Sequence, residues 1–275
     1  TKEQLIDVIK FQRRTINSQE NFLINISHDL RSPVNSILSV LQCLKYLNTD
    51  NSKEVKEKTN EYRKIIKRNS LKIIKLIDNL IDTTKLEGDN YHLNKTNLDI
   101  VNVVESIVDS IEVYANEKKI NIIFDTNVEE FMINADLEAV DRIVMNLLSN
   151  AIKFSPVDEV IEVTVNAEEN NVEISVKDNG IGIAEEEQKK IFNRFEQATN
   201  SKRVEGKGSG IGLDLVSYLV KSHGGKIQLN SKLNEGSEFI VTLPVGKLSE
   251  DKENHELMSR NKVEQLEIEF SDIYL

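Results

Sequence analysis

The chain has 275 residues, 39% of them apolar, enough for two domains with cores of their own. Acidic residues outnumber basic ones by 46 to 35, the net charge is −11, and no basic stripe interrupts it, which argues against nucleic-acid binding. The single cysteine, Cys43, rules out a disulfide framework or a thiol-rich metal site and fits a reducing cytosolic compartment.

No apolar run reaches the length needed to cross a bilayer, and none of these residues reads as a signal peptide. Thr1 already stands inside a helical pattern, so a fragment of a longer protein is expected. From Leu5 the apolar positions Leu5, Ile9, Ile16, Leu23, Ile26, Leu30, Ile37, Leu41 and Leu44 keep a three-four spacing, which predicts a long helix with a coiled-coil seam. Cys43 is expected to pack within it as a small apolar residue. Pro33 removes one backbone donor and predicts a kink.

Residues 48–54 are polar turn formers. A second periodic segment follows, with Tyr62, Ile65, Ile66, Asn69, Ile73, Leu76, Ile77 and Leu80 facing inward, and stops near Glu87-Gly88-Asp89. A two-helix hairpin cannot hide its whole apolar stripe, so a homodimer with a four-helix bundle is expected. Periodicity alone is equally compatible with a structural or partner-binding coiled coil.

After about residue 96 the elements are mixed. Ile100 to Lys118 reads as amphipathic helix and Asn121–Phe124 as a short strand, and Asp136 caps a helix running to Phe154. Val160–Val165 and Val172–Val176 alternate as an antiparallel hairpin. Leu213 to Ser222 is helical, and Lys226–Asn230 pairs with Phe239–Leu243. A mixed sheet with helices on one face is an α/β sandwich, so the whole chain is α+β. Residues 177–212 hold most of the glycines and little regular pattern, which marks a functional loop. In the charged tail after Gly246, Leu266, Ile268 and Phe270 alternate like a strand, although Val263, Leu266, Phe270 and Ile273 also fit a helix; a strand is expected.

Four constellations carry chemistry. In Phe22–Pro33, Leu23, Ile26 and Leu30 share a stripe from which His28 points away, beside the carboxylate of Asp29. Neutral histidine is a nucleophile through one ring nitrogen when the other holds the proton, and Asp29 is placed to accept that N–H. On the helix ending at Phe154, Asn146, Asn150 and Lys153 lie on one face. Amide oxygens are hard ligands suited to Mg²⁺, and Lys153 is a point charge for phosphate. Asp178-Asn179-Gly180-Ile181-Gly182 follows a strand, so its carboxylate can accept from an exocyclic amine such as that of adenine while the glycines admit a flat ring. Gly206-Lys207-Gly208-Ser209-Gly210-Ile211-Gly212-Leu213 opens a helix and frees N–H groups for a phosphate, without the Gly-Lys-Ser/Thr ending of Walker A. Between the glycine clusters, Phe192 and Phe195 are placed to form a lid over a ligand or to anchor the loop on the core.

The order and spacing of the His28–Pro33 box, the Asn146-x-x-x-Asn150 box with Lys153 and Phe154, Asp178-x-Gly180-x-Gly182, Phe192-x-x-Phe195 and Gly208-x-Gly210-x-Gly212-Leu213 resemble sensor histidine kinases of two-component systems over roughly residues 15–245. The resemblance implies a dimerisation and phosphotransfer hairpin over residues 1–90, coiled-coil lead-in included. It further implies an ATP-binding sandwich over residues 91–246 and a tail over 247–275 outside the family core. It implies that His28 is the phosphoacceptor and Asp29 its base, and that Asn150, assisted by Asn146, holds Mg²⁺. By the same resemblance Lys153 would contact phosphate, Asp178 would read adenine, and the loop from Gly180 through Gly212, with Gly208, Ser209 and Gly210, would form an ATP lid. The implied partners are a second copy of the chain and the receiver domain of a response regulator, with a sensor domain upstream and this portion in the cytoplasm of a protein that is soluble or membrane-anchored. Many relatives carry Thr or Asn where this chain has Ser32, a position that assists dephosphorylation of the regulator, so the retained hydroxyl leaves phosphatase activity open. Two alternatives are an ATP-hydrolysing machine of the same fold, whose members carry a glutamate at the position of Asn146, and a non-enzymatic coiled-coil scaffold.

Overall fold

A computed structural model describes residues 24, 26–27, 29–46, 53–87, 92–193, 196–198, 210–248 and 261–272. The chain divides into two compact units, Thr1–Asp78 and Asn79–Leu275.

In the first unit, helix α1 covers residues 29–45 and runs through Pro33, while α2 spans Lys53–Glu87. Asn69 is buried and donates from Nδ2 to the Ile65 carbonyl at 2.8 Å, which satisfies a polar side chain on an otherwise apolar face. Val34, Leu38 and Leu41 on α1 and Ile74, Ile77 and Ile81 on α2 are exposed. Their spacing makes one stripe on each helix. Leu41 and Ile77 therefore lie outside the core of a single chain, contrary to a purely intramolecular seam. Cys43 is exposed as well, which corrects the expectation that it packs inside.

The second unit begins with β1, Thr96–Asp99, which pairs antiparallel with β3, Met132–Ala135. Neither strand is expected from the sequence. Between them lie α3, Ile100–Glu117, and β2, Asn121–Thr126. Asp99 caps α3 by accepting from Val101 N at 3.2 Å and also takes the Phe131 N–H at 3.0 Å, tying the two short strands together. Helix α4, Leu137–Phe154, follows β3 and carries the chain across to β4, Val160–Ala167, parallel to β2. β4 and β5, Asn171–Asp178, form the expected hairpin.

Beyond β5 a short helical turn, α5 (Glu185–Gln188), lies in the described part of the long loop. Helix α6, Gly212–Ser222, leads into β6, Lys226–Ser231, and β7, Ser237–Pro244, completing a five-stranded sheet in the order β2-β4-β5-β7-β6. Burial alternates along β7, so one sheet face is covered by α3, α4 and α6. Ile107, Ile111, Ile143, Leu147, Leu148, Ile152, Ile161 and Ile174 are fully buried there.

The tail ends in α7, Asn261–Glu269, and a 3-10 turn, Phe270–Asp272, not in a strand. Leu266 and Phe270 are four residues apart, so both face inward on a helix, and Phe270 is fully buried with its ring stacked 4.9 Å from that of Tyr114 on α3. This aromatic partner satisfies the helical pattern and leaves the alternating one without a surface to meet.

Candidate functional site

Helix α4 is the base of the site. Its apolar side buries Leu147, Leu148 and Ile152, which leaves Asn146 and Asn150 half-buried one turn apart at the margin of the core. Asn146 donates from Nδ2 to the Arg142 carbonyl at 2.9 Å and turns Oδ1 toward the start of α6. A Cβ at Gly212 would run into that oxygen, so the glycine leaves Asn146 Oδ1 its place against the start of α6. The Asn box and the glycine box, more than sixty positions apart, therefore meet. The N-cap residue of α6, Ile211, makes no side-chain cap hydrogen bond, and this end of the helix is the positive end of its dipole, which favours an anion. Leu213 packs against the core and Gly210 is left-handed at φ 71°, while Gly208 and Ser209 lie outside the described residues.

At the other end of α4, Lys153 is buried at 9% exposure, with its ammonium 5.5 Å from the centroid of the Phe154 ring. The Phe154 carbonyl abuts the turn after β5: a Cβ on Gly180 would stand 2.7 Å from that oxygen and 2.6 Å from Asp178 Oδ1. Asp178, 6% exposed, ends β5 with Oδ1 accepting the Gly180 N–H at 2.8 Å. Its carboxylate also accepts the backbone N–H of Ser237. Burial outweighs both bonds and pushes its pKa up to about 6. Gly182, at φ 60°, packs against the Lys232 carbonyl, where any side chain would collide.

Phe192 sits edge-on to Phe239 of β7 with ring centroids 6.3 Å apart, beside the buried Ile191. It anchors the loop on the core, the second of the two roles open from the sequence. Phe195 lies outside the described residues. So does His28, whereas its neighbours Asp29, half-buried, and Ser32, exposed, lie on α1, where the Ser32 carbonyl accepts from Ser36 Oγ at 3.1 Å.

Two contributors escape a reading of the sequence. Lys118, at the end of α3, donates from Nζ to the carbonyls of Ile152, Lys153 and Ser155 at 2.7, 2.9 and 2.7 Å. Burial lowers its pKa. His223, at the end of α6, accepts the Asp136 N–H at Nε2 at 3.1 Å, and its Nδ1 lies 2.8 Å from the Leu219 carbonyl, which requires the neutral Nδ1–H tautomer. Asp136 in turn caps α4 through Ala139 N at 3.0 Å and takes Asn94 N at 2.7 Å. Both contributors act across more than thirty positions, and no local spacing announces them.

Among the described residues no group of His, Cys, Asp or Glu could cage a metal ion. Asn146 Oδ1, directed at the start of α6, fits a hard cation that takes most of its ligands from phosphate and water. No helix among the described residues is long and apolar enough to cross a membrane.

Comparison with known proteins identifies two domain families along the chain. The His Kinase A (phospho-acceptor) domain family matches residues 18–89, and the histidine kinase-, DNA gyrase B-, and HSP90-like ATPase family matches residues 135–247. Sensor histidine kinase WalK of Bacillus subtilis (strain 168) is 28% identical over 242 residues, 87% of this chain and 39% of that protein. The catalytic domain of histidine kinase ThkA superposes with a TM-score of 0.50 at 27% identity, covering 56% of this chain and 99% of that one. ThkA in complex with response regulator protein TrrA shares the fold over 85% of this chain and 64% of that one, with a TM-score of 0.58 at 21% identity. The chain spans well under half the length of the curated relatives it matches, 39% and 40% in two cases. With a phospho-acceptor hairpin domain followed by an ATPase-type sandwich, the chain belongs to the sensor histidine kinases of two-component systems.

Proposed function

We propose that this chain phosphorylates itself on His28 from Mg-ATP and passes the phosphoryl group to an aspartate of a response regulator. The observation that carries the reading is the junction of Asn146 with Gly212 beside the Phe154–Gly180–Asp178 contact, which supports a pocket with phosphate groups at one end and adenine at the other. Asp178 receives the exocyclic amine of adenine, the N–H groups at the start of α6 and the ammonium of Lys153 receive phosphate oxygens, and Phe192 holds the loop around it against Phe239 of the sheet. Asn146 and Asn150 would hold Mg²⁺, which supplies charge neutralisation on the phosphates when bound.

In the transfer a neutral ring nitrogen of His28 forms the N–P bond as the bond from the γ-phosphorus to the β,γ-bridging oxygen breaks. ADP leaves with the electron pair, and Asp29 holds the proton of the other ring nitrogen. Such a transfer asks the protein mainly for positioning and electrostatic stabilisation. The domain limits that follow are residues 1–90 for the phosphotransfer hairpin and 91–246 for the ATP-binding sandwich. The exposed stripes on α1 and α2 support a homodimer, and the ThkA–TrrA complex supports a receiver domain as second partner. An upstream sensor domain and a cytoplasmic location for this portion accord with the length of the relatives and the lone cysteine. The match to the phospho-acceptor family and the amide at position 146 disfavour a machine specialised for ATP hydrolysis.

Incubation with Mg-ATP is expected to deposit an acid-labile, base-stable phosphate that His28→Gln abolishes. Label persisting in that variant would overturn the assignment.

A further inference from the structure

The structure assigns Lys118 as a positioning residue of the nucleotide pocket, an inference that rests on reading that pocket as an ATP site. An ammonium has three N–H donors, and here each meets a different carbonyl at the end of α4: Ile152, Lys153 and Ser155. These are groups that a helix C-terminus leaves without intrahelical partners, and a cation is favoured at that end of the dipole. The residue enclosed by the three is Phe154, whose own carbonyl touches Gly180 in the turn that carries Asp178. Lys118 thus clamps the backbone on both sides of the Phe154 carbonyl, one of the atoms against which the adenine-facing turn packs.

The sequence aims Lys118 there deliberately. α3 ends with Lys118 N and Ile120 N both bonded to the Ala115 carbonyl, at 3.0 and 2.9 Å, and with Lys119 in the left-handed region at φ 56°. That corner buries Ile120 and turns the Lys118 side chain across to α4. A lysine serving only as a solvated surface cap would keep its head in water. This one is partly desolvated, which argues that ordering the Phe154 segment is worth the exposure lost. Without the ammonium, the last turn of α4 has three fewer anchors, and the turn from Asp178 to Gly180 loses the fixed position of one of its supports. None of the three bonds of Lys118 reaches the start of α6, so the effect falls on recognition of the base rather than of the phosphates.

The test compares equilibrium binding of ATP and of purine riboside triphosphate, which lacks the exocyclic amine, to the whole chain. The wild type is expected to prefer ATP by about tenfold or more, the worth of a hydrogen bond to a charged acceptor. Lys118→Met, confirmed folded by circular dichroism, is expected to narrow that ratio to about threefold or less, while Lys118→Arg, which keeps several donors, retains most of it. A general loss of stability scales both affinities together and leaves the ratio alone. If Lys118→Met does not fold, Lys118→Gln is read on the same ratio. An unchanged ratio in the folded variant overturns the role of Lys118, whereas a wild-type chain that binds neither nucleotide overturns the ATP site itself.

Discussion

At Asp178 the demands of folding and of binding oppose each other. Burial raises its carboxyl from the ordinary 3.8 to about 6, so between those values the folded chain holds a proton that the unfolded chain has released. Its contribution to stability is present in full below pH 4 and is lost as pH rises through 6. Above that, the ionised carboxylate is costly to the empty domain and is the stronger acceptor for an adenine amine. Nucleotide affinity is therefore expected to fall as pH drops below 6, by up to about tenfold per pH unit, and Asp178→Asn is expected to flatten the profile. Binding isotherms from pH 5 to 7.5 on both proteins check this, and parallel profiles would remove Asp178 from the site. His223 acts in the opposite sense. Burial depresses its pKa, Lys95 lowers it further, and the Leu219 carbonyl and Asp136 only partly compensate. Its neutral form bridges α4 and α6, so stability is present above the ordinary histidine value of about 6.5 and is lost as pH falls through it toward the lower folded pKa. His223→Gln is expected to reduce the acid sensitivity of thermal unfolding between pH 5 and 7; an unchanged slope would show that the imidazole stays neutral or exposed in both states.

At the scale of elements, the C-terminal helix shows what periodicity can and cannot resolve. Leu266, Ile268 and Phe270 alternate, and over so few residues alternation and helical spacing are both satisfied. The arbiter is Tyr114, over 150 positions upstream, which gives Phe270 a ring to stack on. Phe270→Ala is expected to destabilise the second unit by about 3–5 kcal/mol, the usual cost of emptying a fully buried aromatic site. Chemical denaturation checks it: an unaltered midpoint would mean that α7 is dispensable to the core. The same limit explains β1 and β3, whose four residues each alternate too little to be seen and which exist because they pair with each other. By contrast, β4, β5 and β7 alternate over eight residues, and α3, α4 and α6 repeat their apolar positions over several turns, so these elements were legible. The site followed suit: Asn146, Asp178 and Gly212 stand in local patterns, whereas Lys118 reaches α4 only through the corner at Lys119.

For the whole molecule, the phosphoacceptor and the nucleotide pocket are proposed to reside in different units, so each is expected to fail independently of the other. The stripe of Val34, Leu38, Leu41, Ile74, Ile77 and Ile81 belongs to the hairpin, and the described residues proposed for the pocket lie between positions 118 and 237. Two copies would remove twelve partly exposed side chains from water, a gain on the order of 10 kcal/mol if each contributes about one. Association itself costs roughly 4–15 kcal/mol, so the margin is thin and two charges set against each other suffice to reverse it. The double substitution Leu38→Glu with Ile77→Glu is therefore expected to convert a dimer to a monomer in sedimentation while leaving ATP affinity within about twofold of wild type. A dimer that persists would place the contact elsewhere on the hairpin, and a loss of nucleotide binding would show that the pocket depends on dimerisation, which neither Asn146 nor Asp178, each held by partners within its own unit, gives reason to expect.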